Sequence, residues 1–359
     1  MNKIGILTFN RALNYGAVLQ TYGLLKAVTN IDSKYDCEII NYKCAPVEYE
    51  RKIKSRIDSN IIKSILRCSL LISKKMKFNN FCSTFLKSSS NIYDDNNISL
   101  LNETYDKIIV GSDQIWNLNI TDNDFNYLLD FSLDKNKKYS YAASFGKYEI
   151  KKEDFSKFKE VLNEFRTISV REESSKVFLK NKLNIQNVEV NLDPTLLLNK
   201  EDWLLVKKNK IIKEKYILIY NVQKPDKIMK YAEYLKNKTG YKLYYIPIGI
   251  RPKNGKNFYP NVEEFLNLFY NAEYVLTNSF HGTVFSIIFN KKFMTELPLK
   301  NSKDERINSL LNICQLQSRV LEDNINDLFD DIDWKRVNNL LNIERQKSID
   351  YLKNILNEE

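Results

Sequence analysis

Residues 274–289 read YVLTNSFHGTVFSIIF. Tyr274–Thr277 is a short apolar run, Asn278-Ser279-Phe280-His281-Gly282 is turn-like, and Thr283 opens a second apolar run that reaches Phe289. That order predicts a buried strand, a tight turn and a helix, half of a β-α-β unit. The start of a helix offers backbone N–H groups and the positive end of its dipole, a ready anion site. Ser279, Gly282 and Thr283 are therefore candidate phosphate contacts, with Gly282 letting an anion approach the backbone closely. Histidine is the side chain whose unperturbed pKa, about 6.5, suits proton shuttling at neutral pH, and His281 is the one histidine of the chain. Acid–base catalysis, phosphate binding and simple capping of the turn are all open to it.

Working outward, the same alternation recurs along the chain. Ile4–Phe9, Cys37–Tyr42, Lys107–Val110, Lys138–Ala143, Thr167–Val170 and Val188–Leu192 read as strands, separated by helix-periodic runs such as Gly16–Thr29, Asp154–Phe165 and Glu172–Leu183. Residues 51–90 read as basic helix, then loop. After a lysine-rich stretch at 206–215 the pattern restarts, with strands at Tyr216–Tyr220, Lys242–Ile246, Tyr274–Thr277 and Phe293–Glu296. Strands alternating with helices predict parallel sheets. We therefore expect an α/β fold of two doubly wound domains, 1–205 and 206–335, with a terminal helix over 336–359 packing back on the first. In such a fold ligands bind outside the carboxyl ends of the strands, in the cleft between the two sheets.

Composition narrows the function classes. Of 359 residues, 43% are hydrophobic and 28% charged, enough apolar surface for two cores. The net charge of +10 could serve an anionic partner, yet the lysines are scattered and there is no RNA-binding signature, so no nucleic acid is expected. Five cysteines without a C-x-x-C pair, and a single histidine, predict neither structural zinc nor a disulfide framework. The opening residues lack the features of a secretory leader, and no run is long enough to span a bilayer. The reading is a cytoplasmic protein. Residues 51–78 interleave basic side chains with Ile61, Ile62, Ile65, Leu66, Leu70 and Leu71, a candidate amphipathic helix for an anionic membrane surface or an ordinary helix with a solvated basic face.

Three further segments end strands. In DKIIVGSDQIWN (106–117), Asp113 could accept a proton from a sugar hydroxyl, with Gln114 beside it and Trp116 stacking on a sugar face; the alternative is that Asp113 caps a short helix. In NRALNYGAVLQ (10–20), Asn14, Tyr15 and Gln20 are candidate acceptor contacts or plain cap and core; the glycine spacing is not that of a dinucleotide site. In ISVREE (168–173), Arg171 could grip a carboxylate or phosphate in two-point fashion, or pair with Glu172 or Glu173. Arg306 is a further candidate cation.

In order, NYGAVLQTYGL, VGSDQIWN, SYAASFG (140–146), SVRE, DPTLLL (193–198) and TNSFHGTVFSIIFNKKF resemble the polysaccharide pyruvyl transferase family across nearly the whole chain. The resemblance implies a fold similar to the two-domain GT-B glycosyltransferases. It implies transfer of pyruvate from phosphoenolpyruvate, as co-substrate, to two hydroxyls of a sugar in a cell-surface glycan precursor, lipid-linked or free, forming a ketal with no metal or other cofactor. Arg171 and His281 match the family's donor-site positions, and Asp113 would deprotonate or orient the acceptor. Many members carry arginine two residues before the histidine; here Ser279 stands there, so Arg306, Lys224 or another cation would supply that charge. Two rival readings predict different chemistry: a glycosyltransferase using a nucleotide sugar, or a non-catalytic binder of polyanions or membranes.

Overall fold

The computed structural model of the chain describes residues 3–51, 61–132, 134–146, 149–207, 209, 211–247, 252, 254–297, 305–322 and 329–358. It divides into two compact units, one comprising residues 1–198 and 344–359 and the other residues 199–343.

The first unit is built on five parallel strands, β1 (Lys3–Leu7), β2 (Asp36–Tyr42), β3 (Ser88–Tyr93), β4 (Lys107–Val110) and β5 (Lys138–Ser140), in the order β3-β2-β1-β4-β5. A parallel pair, β6 (Ile168–Val170) and β7 (Val188–Val190), continues this sheet through bridges from Tyr139 to Thr167 and from Ala143 to Val170. Alternate strand residues feed two cores, as a sheet covered on both faces requires. Leu7, Ile40, Ile108 and Val110 belong to one core; Ile4, Ile6, Ile39 and Ile109 belong to the other.

The second core is closed by the helix Tyr15–Ile31 and by the end of the long helix Trp334–Asn357, through Tyr351, Leu352, Ile355 and Leu356. Each of those side chains contributes roughly 1.5–3 kcal/mol when fully buried. Polar contacts fix the helix in place. Buried Lys107 donates to the carbonyl oxygens of Ile355 (2.6 Å) and Leu356 (3.2 Å), where the helix leaves acceptors unfilled. Burial pushes that ammonium below its ordinary value. Tyr351 donates to the Ser140 carbonyl at 2.9 Å.

The second unit repeats the plan with β8 (Tyr216–Tyr220), β9 (Lys242–Ile246), β10 (Lys256–Asn257), β11 (Tyr274–Thr277) and β12 (Lys292–Thr295), all parallel, in the order β10-β9-β8-β11-β12. In both sheets the strand order reverses once, between β1 and β4 and between β8 and β11. At such a switch point the helices on either side of the sheet diverge and leave a crevice at the carboxyl ends.

The dividing point lies at Leu198/Asn199, ahead of the lysine-rich stretch, because the helix Lys200–Leu204 buries Trp203 edge-on against Phe285 of the second unit at 5.2 Å. Two strands escape the apolar pattern. β3 (SSSNIY) lies at the sheet edge with four of its six residues exposed, and β10 is only two residues long. Of residues 51–78, 52–60 and the side chains of 51–63 and 66 lie outside the described set. The remainder starts the helix Ile61–Phe85, whose Leu71, Phe78 and Phe81 are buried while Ile65, Ile72 and Met76 are exposed. No described helix is long and apolar enough to cross a membrane.

Candidate active site

In the second unit β11 ends at Thr277 and the helix Phe280–Ile288 begins three residues later, at the switch point. The junction is tightly made. Thr277 Oγ1 donates to the Tyr220 carbonyl at 2.5 Å, across to β8, and receives the Ser279 amide at 3.0 Å. Asn278 spans the same gap: its Oδ1 accepts from the Val222 amide at 2.8 Å, and its Nδ2 donates to the Gln223 carbonyl at 3.0 Å. These bonds hold the ends of β8 and β11 in fixed register. His281 occupies the first turn of the helix, 7% exposed, with its ring edge-on to Phe280 at 5.1 Å. Arg306, at the start of the helix Arg306–Cys314, sets its guanidinium 5.7 Å from the Phe280 ring. Lys224 is exposed in the loop that Asn278 pins.

Three of the expected phosphate contacts turn out to build the junction. Ser279 is the helix N-cap, its Oγ accepting from the Gly282 amide at 3.3 Å. Gly282 is needed for packing rather than for an incoming anion, since a Cβ there would lie 2.3 Å from Thr277 Oγ1. Thr283 is fully buried and bonds to the Ser279 carbonyl at 3.1 Å and to Thr295 Oγ1 at 3.0 Å, locking the helix to β12. The turn thus carries His281, with Arg306 against Phe280, Lys224 in the loop that Asn278 pins, and Glu296, whose amide donates to the Thr277 carbonyl at 2.8 Å and whose carboxylate accepts from the Asp226 amide at 2.7 Å.

In the first unit, four of the six motifs converge on Arg171, at the end of β6. Its Nη1 donates to Asp193 Oδ2 at 2.7 Å and its Nε to Glu172 Oε1 at 2.9 Å, while Nη2 lies 3.9 Å from Asp113 Oδ1. Burial alone would lower its pKa, but the three carboxylates outweigh burial and hold the guanidinium above its ordinary value. Glu172 also receives Ser144 Oγ at 2.8 Å, and Asp193 receives the Thr195 amide at 3.0 Å. One cation against three carboxylates is a poor grip for a further anion. The expectation of a free fork for the donor is corrected accordingly: Arg171 binds the loops after β4, β5 and β7 to one another.

Asp113 itself is only loosely engaged. It sits in left-handed backbone (φ 65°) after Gly111, whose φ of 133° and approach to the Tyr141 carbonyl leave no space for a side chain. No described residue donates a hydrogen bond to its carboxylate. The cap of the nearby helix Leu118–Thr121 is Asn117, not Asp113. Asp113 thus stands beside Arg171, partly exposed, at the β1/β4 switch point.

The acceptor candidates separate into core and surface. Trp116 is fully buried, its Nε1 donating to the Tyr127 carbonyl at 3.0 Å and its ring packed 5.4 Å from Phe145, so it has no face for a sugar. Gln20 is equally buried; it donates to Thr8 Oγ1 at 2.8 Å and accepts from the Ser112 amide at 3.2 Å, tying β1 to the loop after β4. Tyr15 packs on Phe78 at 5.0 Å. Asn14 is exposed but caps the helix Tyr15–Ile31, accepting from Gly16 at 2.9 Å. Gln114, half-buried, accepts from Asn117 at 3.2 Å. The pairing of Arg171 with Glu172, one of the two alternatives the sequence left open, is present, while the residues that sequence reasoning passed over are the clamps Asn278 and Asp193. Each is a polar residue at a strand end, and only the partner across the sheet reveals its task. Among the described residues no group of three His, Cys, Asp or Glu side chains is arranged to hold a metal ion.

A family model described as polysaccharide pyruvyl transferase matches residues 14–295. No curated protein matches the chain. Among solved structures it is similar to the UDP-GlcNAc 2-epimerase of Methanocaldococcus jannaschii, at 15% identity with a TM-score of 0.51, covering 99% of each chain. It is also similar to the UDP-GlcNAc 2-epimerase of Neisseria meningitidis, at 11% identity and a TM-score of 0.50, covering 100% of this chain and 95% of that one. At such identities the likeness speaks to the fold alone, which is GT-B-like.

Proposed function

The chain belongs to the polysaccharide pyruvyl transferase family, and from that membership we propose that it moves pyruvate from phosphoenolpyruvate onto two hydroxyls of one sugar, closing a cyclic ketal and releasing phosphate. The observation that carries the reading is the place of His281, the one imidazole of the chain, at the helix start beside the β8/β11 switch point.

The proposed chemistry balances as follows. A proton is added to the methylene carbon of the donor, which becomes a methyl group, and a sugar hydroxyl adds its oxygen to C2 and gives up its proton. The C2–O bond to phosphate then breaks with its electron pair, a second hydroxyl bonds to C2, and its proton is released. The carbon skeleton keeps its oxidation level, so no redox cofactor enters, and phosphoenolpyruvate is a co-substrate. His281 handles a proton or the departing phosphate in this scheme. Lys224 and Arg306 supply the positive charge that Ser279 cannot. Asp113 takes the acceptor proton or orients the hydroxyl, and Arg171 positions Asp113. The acceptor belongs to a cell-surface glycan precursor, and the reaction takes place in the cytoplasm or at the inner face of the membrane, where lipid-linked sugars are assembled.

The test is phosphate release from phosphoenolpyruvate in the presence of saccharide acceptors, with thermal-shift comparison of phosphoenolpyruvate against nucleotide sugars. His281→Ala should lower turnover about 10²–10⁴-fold while the protein stays folded. A fall confined to kcat assigns proton transfer to His281; a rise in KM assigns phosphate binding. Stabilisation by a nucleotide sugar and not by phosphoenolpyruvate, with release of nucleoside diphosphate, would overturn the reading in favour of a glycosyltransferase.

A further inference from the structure

The first unit carries a cavity of about 380 Å³ at the carboxyl edge of its sheet, on the β2–β3 side, lined by Ala45, Pro46, Asp95 and residues 121–126. Its size falls within the range of small-molecule sites, about 300–1,000 Å³. Three features set its chemistry. Asp95, Asp122 and Asp124 line it, and no described lysine or arginine forms an ion pair with any of them. Thr121 lines it too; it is 1% exposed, and its hydroxyl has no hydrogen-bond partner in the protein. A threonine in the last turn of a helix usually bonds back to a carbonyl one turn earlier, so a buried hydroxyl without a partner is an exception that calls for a ligand.

The third feature is the hydrogen-bond cluster at Tyr42, beside the cavity. Its hydroxyl lies 2.7 Å from Asp95 Oδ1 and 2.7 Å from Asp124 Oδ2, and it receives Asn126 Nδ2 at 2.8 Å. The single phenol proton serves one of the two carboxylates at a time, and Asn126 Nδ2 also donates to Asp95 Oδ1 at 2.9 Å. Burial pushes the Asp124 carboxyl above its ordinary value. The cavity therefore mixes acceptors (Asp95, Asp122) with groups that both donate and accept (Thr121, Asn126), and Ala45 and Pro46 add apolar surface. Uncompensated carboxylates repel phosphate and carboxylate ligands. Vicinal hydroxyls match such a lining, since each hydroxyl both donates and accepts.

We propose that this cavity is a saccharide subsite that takes one neutral hexopyranose ring. The inference deepens the reading above, on which it rests only in assigning the ring to the acceptor glycan. Binding is measured directly, without donor, by saturation-transfer NMR and calorimetry with the methyl glycosides of glucose, galactose and mannose. At least one should bind the wild-type protein, and Thr121→Val and Asp122→Asn should each weaken it about tenfold or more, the loss of one hydrogen bond to a buried or charged group. Asp122 is exposed and in left-handed backbone (φ 54°) that asparagine also adopts, so that variant keeps the fold if Thr121→Val does not. Failure of every glycoside to bind overturns the proposal, as does unchanged binding in both folded variants. Binding of calcium chloride that Asp122→Asn abolishes, without sugar binding, overturns it in favour of a cation site. Loss of glycoside binding in the variants of a protein that never consumes phosphoenolpyruvate leaves the subsite standing and removes pyruvyl transfer. Full transfer activity in both variants leaves pyruvyl transfer standing and removes the subsite.

Discussion

Arg171 is buried among three carboxylates, those of Asp113, Glu172 and Asp193. Breaking a buried ion pair by removing one partner costs about 3–5 kcal/mol, because the charge left behind is uncompensated. Arg171→Met is therefore expected to lower unfolding free energy by about that amount in urea titrations, with Arg171→Lys intermediate because an ammonium cannot reproduce the planar fork. Asp124 gives a pH-dependent counterpart. Its folded value is raised above the unfolded one, mainly by burial. Its protonated form is thus favoured in the fold, and its contribution to stability is complete below the unfolded pKa and is lost as pH rises through the folded pKa. Asp124→Asn should flatten the decline of melting temperature with rising pH across that window, measured against wild type at matched ionic strength. That His281, Asp113 and Arg171 follow strand ends was legible from the apolar runs before them. Of what they touch, only the neighbour Glu172 of Arg171 was legible. The partners of Arg171 lie 1, 22 and 58 positions away, and side-chain periodicity carries no information about such distances. Trp116 makes the same point in reverse: an aromatic beside a candidate aspartate looks like a sugar platform until the fold turns it inward.

Elements with strong periodicity were readable. The long terminal helix is present, running Trp334–Asn357 against the expected 336–359, and β4, β8 and β11 match their apolar runs. β3 was hidden because an exposed edge strand needs few apolar residues, and SSSNIY has only two. Truncation after Ile343 would strip Tyr351, Leu352, Ile355 and Leu356 from one face of the first sheet and leave Lys107 buried without its carbonyls. Four such side chains amount to about 6–12 kcal/mol of burial, comparable to the whole stability of a domain, about 5–15 kcal/mol. The truncated chain should lose the cooperative melt of its first unit, as followed by circular dichroism and by dye binding to exposed apolar surface.

At the scale of the molecule, two sheets of the same strand order are joined in one chain, and that repetition was visible as a pattern that stops and restarts. The position of the joint was less so, because the lysine-rich stretch marks a solvated surface, whereas the division follows the burial of Trp203. Residues 199–343 contain every strand of the second sheet. Expressed alone, that segment is expected to fold with a cooperative thermal transition, whereas residues 1–198 alone should not; calorimetry on the two fragments checks both.

The first unit is discontinuous in sequence, with its closing helix supplied from beyond the second. On a ribosome the early residues must wait, their apolar sheet face uncovered, while all of the intervening segment is made and leaves the exit tunnel. At about 5–20 residues per second that interval lasts on the order of ten to thirty seconds, a window in which chaperones have time to engage the nascent chain and in which a translational stall would leave half a protein with an open core.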